Sequence, residues 1–223
     1  MIRGLLNKIP ERIRLLLFWP VFGTIFYYME LSGAREYHIV HCFLDDVIPF
    51  CEYFIIPYYF WFVFLIGMIV YGFFWDLSAL KNYMKFSAIT YTVTLFIYVI
   101  YPTAQNLRPE EFANSNFFTD IVRFAYSVDT NTNVCPSIHV LGSMAVYFAA
   151  SRSRIFGMHK WKAVFLAVTV LISVSTLFVK QHSAIDIVAA VLLGLIVYPI
   201  VYPKNKEIEK QIEQKRVTVG VDE

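Results

Sequence analysis

Six blocks of predominantly apolar residues, Ile13–Leu31, Tyr53–Trp75, Phe86–Tyr101, Ile138–Ser151, Ala163–Val179 and Ala184–Tyr202, constrain this chain more than any other feature. Crossing about 30 Å of hydrocarbon takes roughly 20 apolar residues in a helix. The fourth block is short, so it is expected to extend into its flanks or to sit partly within the protein. An unpaired peptide group in lipid costs several kcal/mol, so such segments satisfy their own backbone as helices rather than as open strands. Composition agrees, since 58% of the residues are hydrophobic and only 16% are charged, against roughly 25% charged in an ordinary soluble domain. The apolar residues come in blocks and not in an amphipathic rhythm. A water-soluble globular domain is thereby excluded. The sequence predicts an all-α, polytopic membrane helix bundle of about six transmembrane helices.

Residues 1–36 read as an N-terminal segment with the first transmembrane helix, 37–203 as the main membrane domain and 204–223 as a charged cytoplasmic tail. The first block reads as a retained signal anchor, because it lacks a small-residue cleavage site and Arg12 and Arg14 sit against its start. Lysine and arginine set the orientation. Arg3, Lys8, Arg12 and Arg14, then Lys81 and Lys85, then Arg152, Arg154, Lys160 and Lys162, then the tail residues fall on one side. The other side holds only Arg35, Arg108, Arg123 and Lys180. Both termini are therefore expected in the cytoplasm of a multi-pass cell-membrane protein. The loops after the first, third and fifth blocks then face outward.

In the first outer loop, Glu36–Pro57 is too polar to span. Its first part is expected to form a short interfacial helix at the outer surface. Cys42, Cys51 and Cys135 all fall on the outer side, where a disulfide between two of them is possible. Their spacing fits no zinc pattern, and no Gly-rich phosphate loop is present.

The remaining outer loops carry the polar residues of interest. In "CPSIHV", Pro136 suits a first helical turn, and Ser137 and His139 follow at a helix N-terminus, where free N–H groups and the helix dipole favour an anion. In "KQHSAIDIV", His182 and Asp186 are four residues apart on one helical face. The carboxylate can therefore hold one imidazole nitrogen and leave the other free. In "NLRPEEF", Arg108 offers a guanidinium for bidentate contact with phosphate oxygens. Each piece alone has a bland reading: a helix cap, a local hydrogen-bonded pair, a loop arginine. Their shared placement beside apolar spans favours function, because ionisable groups there are costly.

The order of these elements resembles the type 2 phosphatidic acid phosphatase superfamily. Its pattern is Lys-x6-Arg-Pro, then Pro-Ser-Gly-His, then Ser-Arg-x5-His-x3-Asp. Arg108 and Pro109 match the first motif, Pro136, Ser137 and His139 the second, and Ser175, His182 and Asp186 the third, over roughly residues 50–200. Tyr101 stands at the first motif's lysine, Ile138 at the second's glycine and Thr176 at the third's arginine. These departures point away from haloperoxidases and toward the lipid phosphatase and inositolphosphotransferase-like branch. Lys180 is a candidate to restore one positive charge, with a snorkelling interfacial lysine as its plain alternative.

The resemblance implies that His182, oriented by Asp186, forms a phosphohistidine while His139 acts as acid and then base. Arg108, Ser137 and Lys180 would bind the phosphate. Neither metal nor cofactor is implied. The expected partners are a lipid phosphate substrate and membrane lipids, with no nucleic acid. Water as acceptor makes a phosphatase, and a lipid hydroxyl makes a head-group phosphotransferase of the inositolphosphotransferase or sphingomyelin synthase kind. A catalytically inactive interaction protein, a scramblase and a transporter are the other classes considered. The substrate lipid and the oligomeric state are not legible.

Overall fold

The computed structural model describes residues 9–32 and 36–203. The charged tail 204–223, together with Arg3, Lys8 and Arg35, lies outside the described residues. In chain order the elements are α1 (Glu11–Leu16), α2 (Phe18–Leu31), β1 (His38–Ile39), α3 (Phe43–Val47), a 3₁₀ turn (Glu52–Phe54), α4 (Ile55–Phe74), α5 (Leu77–Ile100), β2 (Thr103–Ala104), α6 (Phe117–Val128), α7 (Ile138–Ser151), α8 (His159–Phe178) and α9 (Ala184–Val201).

Four helical segments are long and apolar enough to cross a membrane: Glu52–Phe74, Leu77–Ile100, His159–Phe178 and Ala184–Val201. The all-α expectation holds at this level. The first block is divided at Leu17 into α1 and α2, and the fourth is the 14-residue α7.

The short helix α7 is the centre of the bundle and packs against α4, α5, α8 and α9. Buried residues occupy most of its circumference, from His139 and Val140 through Ala149 and Ala150. Its small residues let neighbours approach closely, which is how helices associate where lipid supplies no hydrophobic contrast. Gly142 makes the closest approach: a Cβ there would lie 2.5 Å from the Tyr91 hydroxyl and 2.9 Å from Trp61 Nε1. A helix wrapped by protein need not match the bilayer thickness, which explains its length.

At one end of the bundle, buried Asp76 caps α5 by accepting from Ala79 N at 3.0 Å and takes the Arg154 N–H at 3.1 Å. This cap starts α5 at Leu77, well before the apolar block at Phe86, so Lys81 and Lys85 lie within the helix. Lys81 pairs with Glu11 at 2.9 Å, and Lys85 donates to the Ile200 carbonyl at 3.3 Å. At the other end Glu30 of α2 accepts from Asn133 Nδ2 at 2.7 Å and from the Thr130 hydroxyl. Between these ends, Trp19 and Phe22 of α2 pack on Tyr91 of α5, with ring centroids 5.5 and 4.9 Å apart.

The loops at the histidine end of the bundle differ from the sequence expectation. The start of Glu36–Pro57 is not helical. Its residues pair in parallel with the segment after α5, His38 opposite Thr103 and Ile39 opposite Ala104. The His38 and Val40 N–H groups donate to the Pro102 and Ala104 carbonyls at 2.9 and 2.8 Å. Strand pairing satisfies the backbone there, and helix forms only over the five residues of α3. All three cysteines are free thiols. Helix α6 was not anticipated. Asn116 caps it with Thr119, and Val122 and Ala125 pack against Ile55 and Tyr58.

Candidate active site

The structure brings the two motif histidines together. His182 Nδ1 lies 3.1 Å from Asp186 Oδ2, and His182 Nε2 lies 3.3 Å from His139 Nδ1. All three side chains are buried. The i,i+4 spacing on a helix start produces the first contact. The second joins groups far apart in sequence and depends on α7 and α9 beginning side by side, where the Ser137 N–H donates to the Asp186 carbonyl at 3.2 Å. With Asp186 at Nδ1, the Nε2 lone pair of His182 is the free one, directed toward His139. The His139 ring lies between Tyr58 and Trp61, at centroid distances of 4.7 and 4.6 Å.

Ser137 is the N-cap of α7, its Oγ accepting from Val140 N at 3.4 Å. Pro136 therefore precedes the helix rather than occupying its first turn, and its carbonyl accepts from the Tyr98 hydroxyl at 2.7 Å. The start of α7 leaves the Ile138 and His139 N–H groups without intrahelical acceptors, as at any helix N-terminus. Helix α9 differs. Two carboxylates already serve its N-terminus, Asp186 Oδ2 on Ser183 N at 2.9 Å and Asp45 Oδ1 on Ala184 N at 2.8 Å.

Arg108 is stacked 4.3 Å above the Tyr126 ring. It donates to the Tyr126 and Asp129 carbonyls at 3.2 and 2.6 Å and to Gln181 Oε1. Burial lowers its pKa, with the Asp129 charge acting in the opposite sense. Lys180, with φ at 53°, turns its ammonium to the carbonyls of Asp45, at 2.7 Å, and Ile48. Burial also lowers the Lys180 pKa, against the charges of Asp45 and Asp46. Both cations are thus bound to the loops around His182, and neither lines the cleft at the histidine pair.

The three departures from the motif pattern have distinct structural places. Tyr101 is exposed and stacks on His38 at 4.1 Å. Thr176 is buried, and its carbonyl accepts from the Gln181 and His182 N–H groups at 2.9 and 3.2 Å. Ile138 lines the cleft. His41 pairs with Asp46 at 2.8 Å on the surface, and His159 begins α8 at the opposite end of the bundle.

Sequence reasoning assigned no role in this site to five residues that shape it. Asp45 accepts from the Ser183 hydroxyl at 2.6 Å as well as from Ala184 N, so α3 is fastened to the loop that carries His182. Burial acts to raise the Asp45 pKa, but the hydrogen bonds from Ser183, Ala184 and Cys42 outweigh it and leave the pKa lowered. Gln181 joins Arg108 to Tyr58 and Asp129, its Nε2 lying 3.3 Å from each of the latter two. Tyr58 donates to Asp129 Oδ2 at 2.6 Å. The Cys135 thiol, beside Asp186, is pushed up to about 12 by burial and by that carboxylate. The only sequence signal for Asp45 was a carboxylate in a loop that mixes polar and apolar residues, and nothing local tied it to Ser183.

Two cavities meet at His139. The smaller and more polar includes Gln181, His182, Asn133 and Asp129, and the larger, about 260 Å³, extends along Tyr58, Trp61 and Phe62. A His–His–Asp chain at the end of such a cleft can accept an electrophile at His182 Nε2 and exchange a proton at His139. Comparison of the chain with family models, curated proteins and solved structures found no match.

Proposed function

We propose that the protein is an integral membrane lipid phosphatase of the type 2 phosphatidic acid phosphatase kind. It hydrolyses a lipid phosphomonoester or diphosphate at its outer face through a phosphohistidine. The observation that carries this reading is the hydrogen-bonded chain Asp186–His182–His139, with the free nitrogen of His182 facing His139. The two rings are in hydrogen-bond contact, so a phosphoryl group takes the place of that bond and substrate parts them.

In the first step the Nε2 lone pair of His182 forms the N–P bond as the P–O bond to the lipid breaks. The departing oxygen takes the proton from His139. Asp186 holds the Nδ1 proton and offsets the positive charge on the ring. In the second step water attacks phosphorus, its proton passes to His139, the N–P bond breaks, and inorganic phosphate leaves. The free N–H groups and dipole at the start of α7 favour the phosphoryl oxygens. Arg108, Ser137 and Lys180 support this charge from the second layer of contacts, through Gln181, the α7 cap and the α3 carbonyls respectively.

Purified protein in detergent is expected to release phosphate from at least one member of a panel of lipid phosphates and diphosphates, with no increase on adding a hydroxylated lipid. Transfer to that lipid in place of release would favour the phosphotransferase reading. Neither release nor transfer across the panel would remove the enzymatic reading.

The proposed orientation has six crossings, with α1–α2 and α7 completing the four long helices, and with both termini in the cytoplasm. Its support is that Arg12, Lys81, Lys85, Arg152 and Arg154 belong to the end of the bundle opposite the histidine pair. A membrane-impermeant thiol reagent added outside is expected to label a cysteine placed at Asn114 and not one placed at Lys160. The reverse pattern would invert the topology.

A further inference from the structure

Thr119, Val122 and Ala125 are the buried residues of helix α6, and the last two pack against Ile55 and Tyr58 at the start of α4. The rest of its circumference is divided. Phe117, Phe124 and Val128 are 71%, 62% and 63% exposed. At about 100° per residue they fall within about 40° of one line along the helix. Asp120, Arg123 and Ser127 are exposed too, and the same geometry sets them together on the side of that line away from Val122 and Ala125. The free side of α6 is thus split lengthwise into an apolar strip and a polar strip.

A helix lying in water exposes polar groups all around its free side, and one immersed in hydrocarbon exposes apolar groups all around it. A split free side fits the boundary between the two. The neighbours of α6 set it at that level. Tyr53, exposed in the turn that opens the membrane-length segment Glu52–Phe74, packs edge-on against Phe118 at 5.1 Å, and tyrosine is enriched at membrane–water interfaces. Val128, at the other end of α6, shares a cavity wall with Phe62 of α4 and Phe26 of α2. Phe62 stands about two turns into α4 and is exposed there, so the apolar strip of α6 continues into the exposed surface of a membrane-length helix. We propose that α6 is an interfacial helix seated in the leaflet at the histidine end of the bundle, with Phe117, Phe124 and Val128 among the acyl chains and Asp120, Arg123 and Ser127 among the head groups. The sequence suggests such an element after Glu36, and α6 fills that role. The inference rests on the membrane placement of α4 and is independent of the chemistry at His182.

The test places the photo-crosslinking residue p-benzoylphenylalanine singly at Phe117, Phe124, Val128, Asp120 and Ser127 of the full-length protein in phosphatidylcholine nanodiscs. Val63 of α4 serves as the lipid-facing reference, and adducts are read by mass spectrometry. All six positions are exposed, so the substitutions leave the packing in place. Phe117, Phe124 and Val128 are expected to give lipid adducts within about 2-fold of the Val63 yield, and Asp120 and Ser127 at least about 5-fold less. Similar lipid yields on both strips would put α6 inside hydrocarbon, and none on either strip would put it in water. Both results overturn the proposal. A cross-linked dimer from the apolar strip, or an adduct to another segment of this chain in place of lipid, overturns it by giving the strip a protein cover. Absence of lipid adducts at Val63 removes the membrane placement of α4 and the proposal with it, a result that the two strips alone do not give.

Discussion

His182→Ala is expected to lower lipid phosphate hydrolysis by at least about 10⁴-fold and to abolish any covalent phosphoenzyme, because no other described nitrogen has the same relation to Asp186 and His139. Rapid quench with labelled substrate, followed by acid and base treatment, reads the adduct directly. A phosphohistidine is lost in acid and survives base. Asp186→Asn keeps an acceptor for Ser183 N but loses the charge that balances the imidazolium, so adduct formation is expected to slow on the order of 10³-fold. An adduct that persists in His182→Ala, or that maps to Ser137, would assign the covalent chemistry to another group. Replacement of His41 or His159 is expected to leave turnover within about 2-fold, as surface changes generally do.

The second large effect separates the two histidines by role. His139→Ala is expected to reduce turnover of a lipid phosphomonoester by roughly 10²–10⁴-fold, the usual contribution of a positioned acid or base. A nitrophenyl phosphoester needs little protonation of its leaving group, so its first step is expected to be much less affected by the same change. The second step still lacks a base, so phosphate is expected to accumulate on His182. A burst of nitrophenol equal to the enzyme concentration, followed by slow turnover, is the signature. If His139→Ala slows the nitrophenyl ester as severely as the lipid and leaves no adduct, His139 is holding the site together rather than moving protons. The contacts of its ring with Tyr58 and Trp61 give that alternative a structural basis.

The helical membrane class was legible because the apolar blocks are a local property. A run such as Ile55–Phe74 has too few polar groups to be stable as anything but a helix surrounded by apolar matter. The His182–Asp186 contact was legible for a similar reason, since helix geometry alone places i and i+4 on one face. The length of α7 was legible, and its burial at the centre of the bundle agrees with the expectation that it sits partly within the protein. The strand pairing of His38–Ile39 with Thr103–Ala104 was not legible, because two-residue strands carry no period and their partners lie far apart in the chain. Helix α6 shares that obscurity, being a short element in a polar loop whose hydrophobic face meets Ile55 and Tyr58 only after folding.

By itself the sequence determined the membrane-grade helices, the polar loops between them and the local pairing of His182 with Asp186. The tertiary structure decided which distant groups meet. It set His139 against His182, fastened α3 to the His182 loop through Asp45, and turned Arg108 and Lys180 toward carbonyls instead of the cleft. It also placed Asp129 in the wall of the cleft at His139. The physical reason is that spans constrain only their own residues. Loop polar groups bind whichever donors and acceptors the packed helix ends bring within hydrogen-bond distance, and that choice is made by the whole bundle.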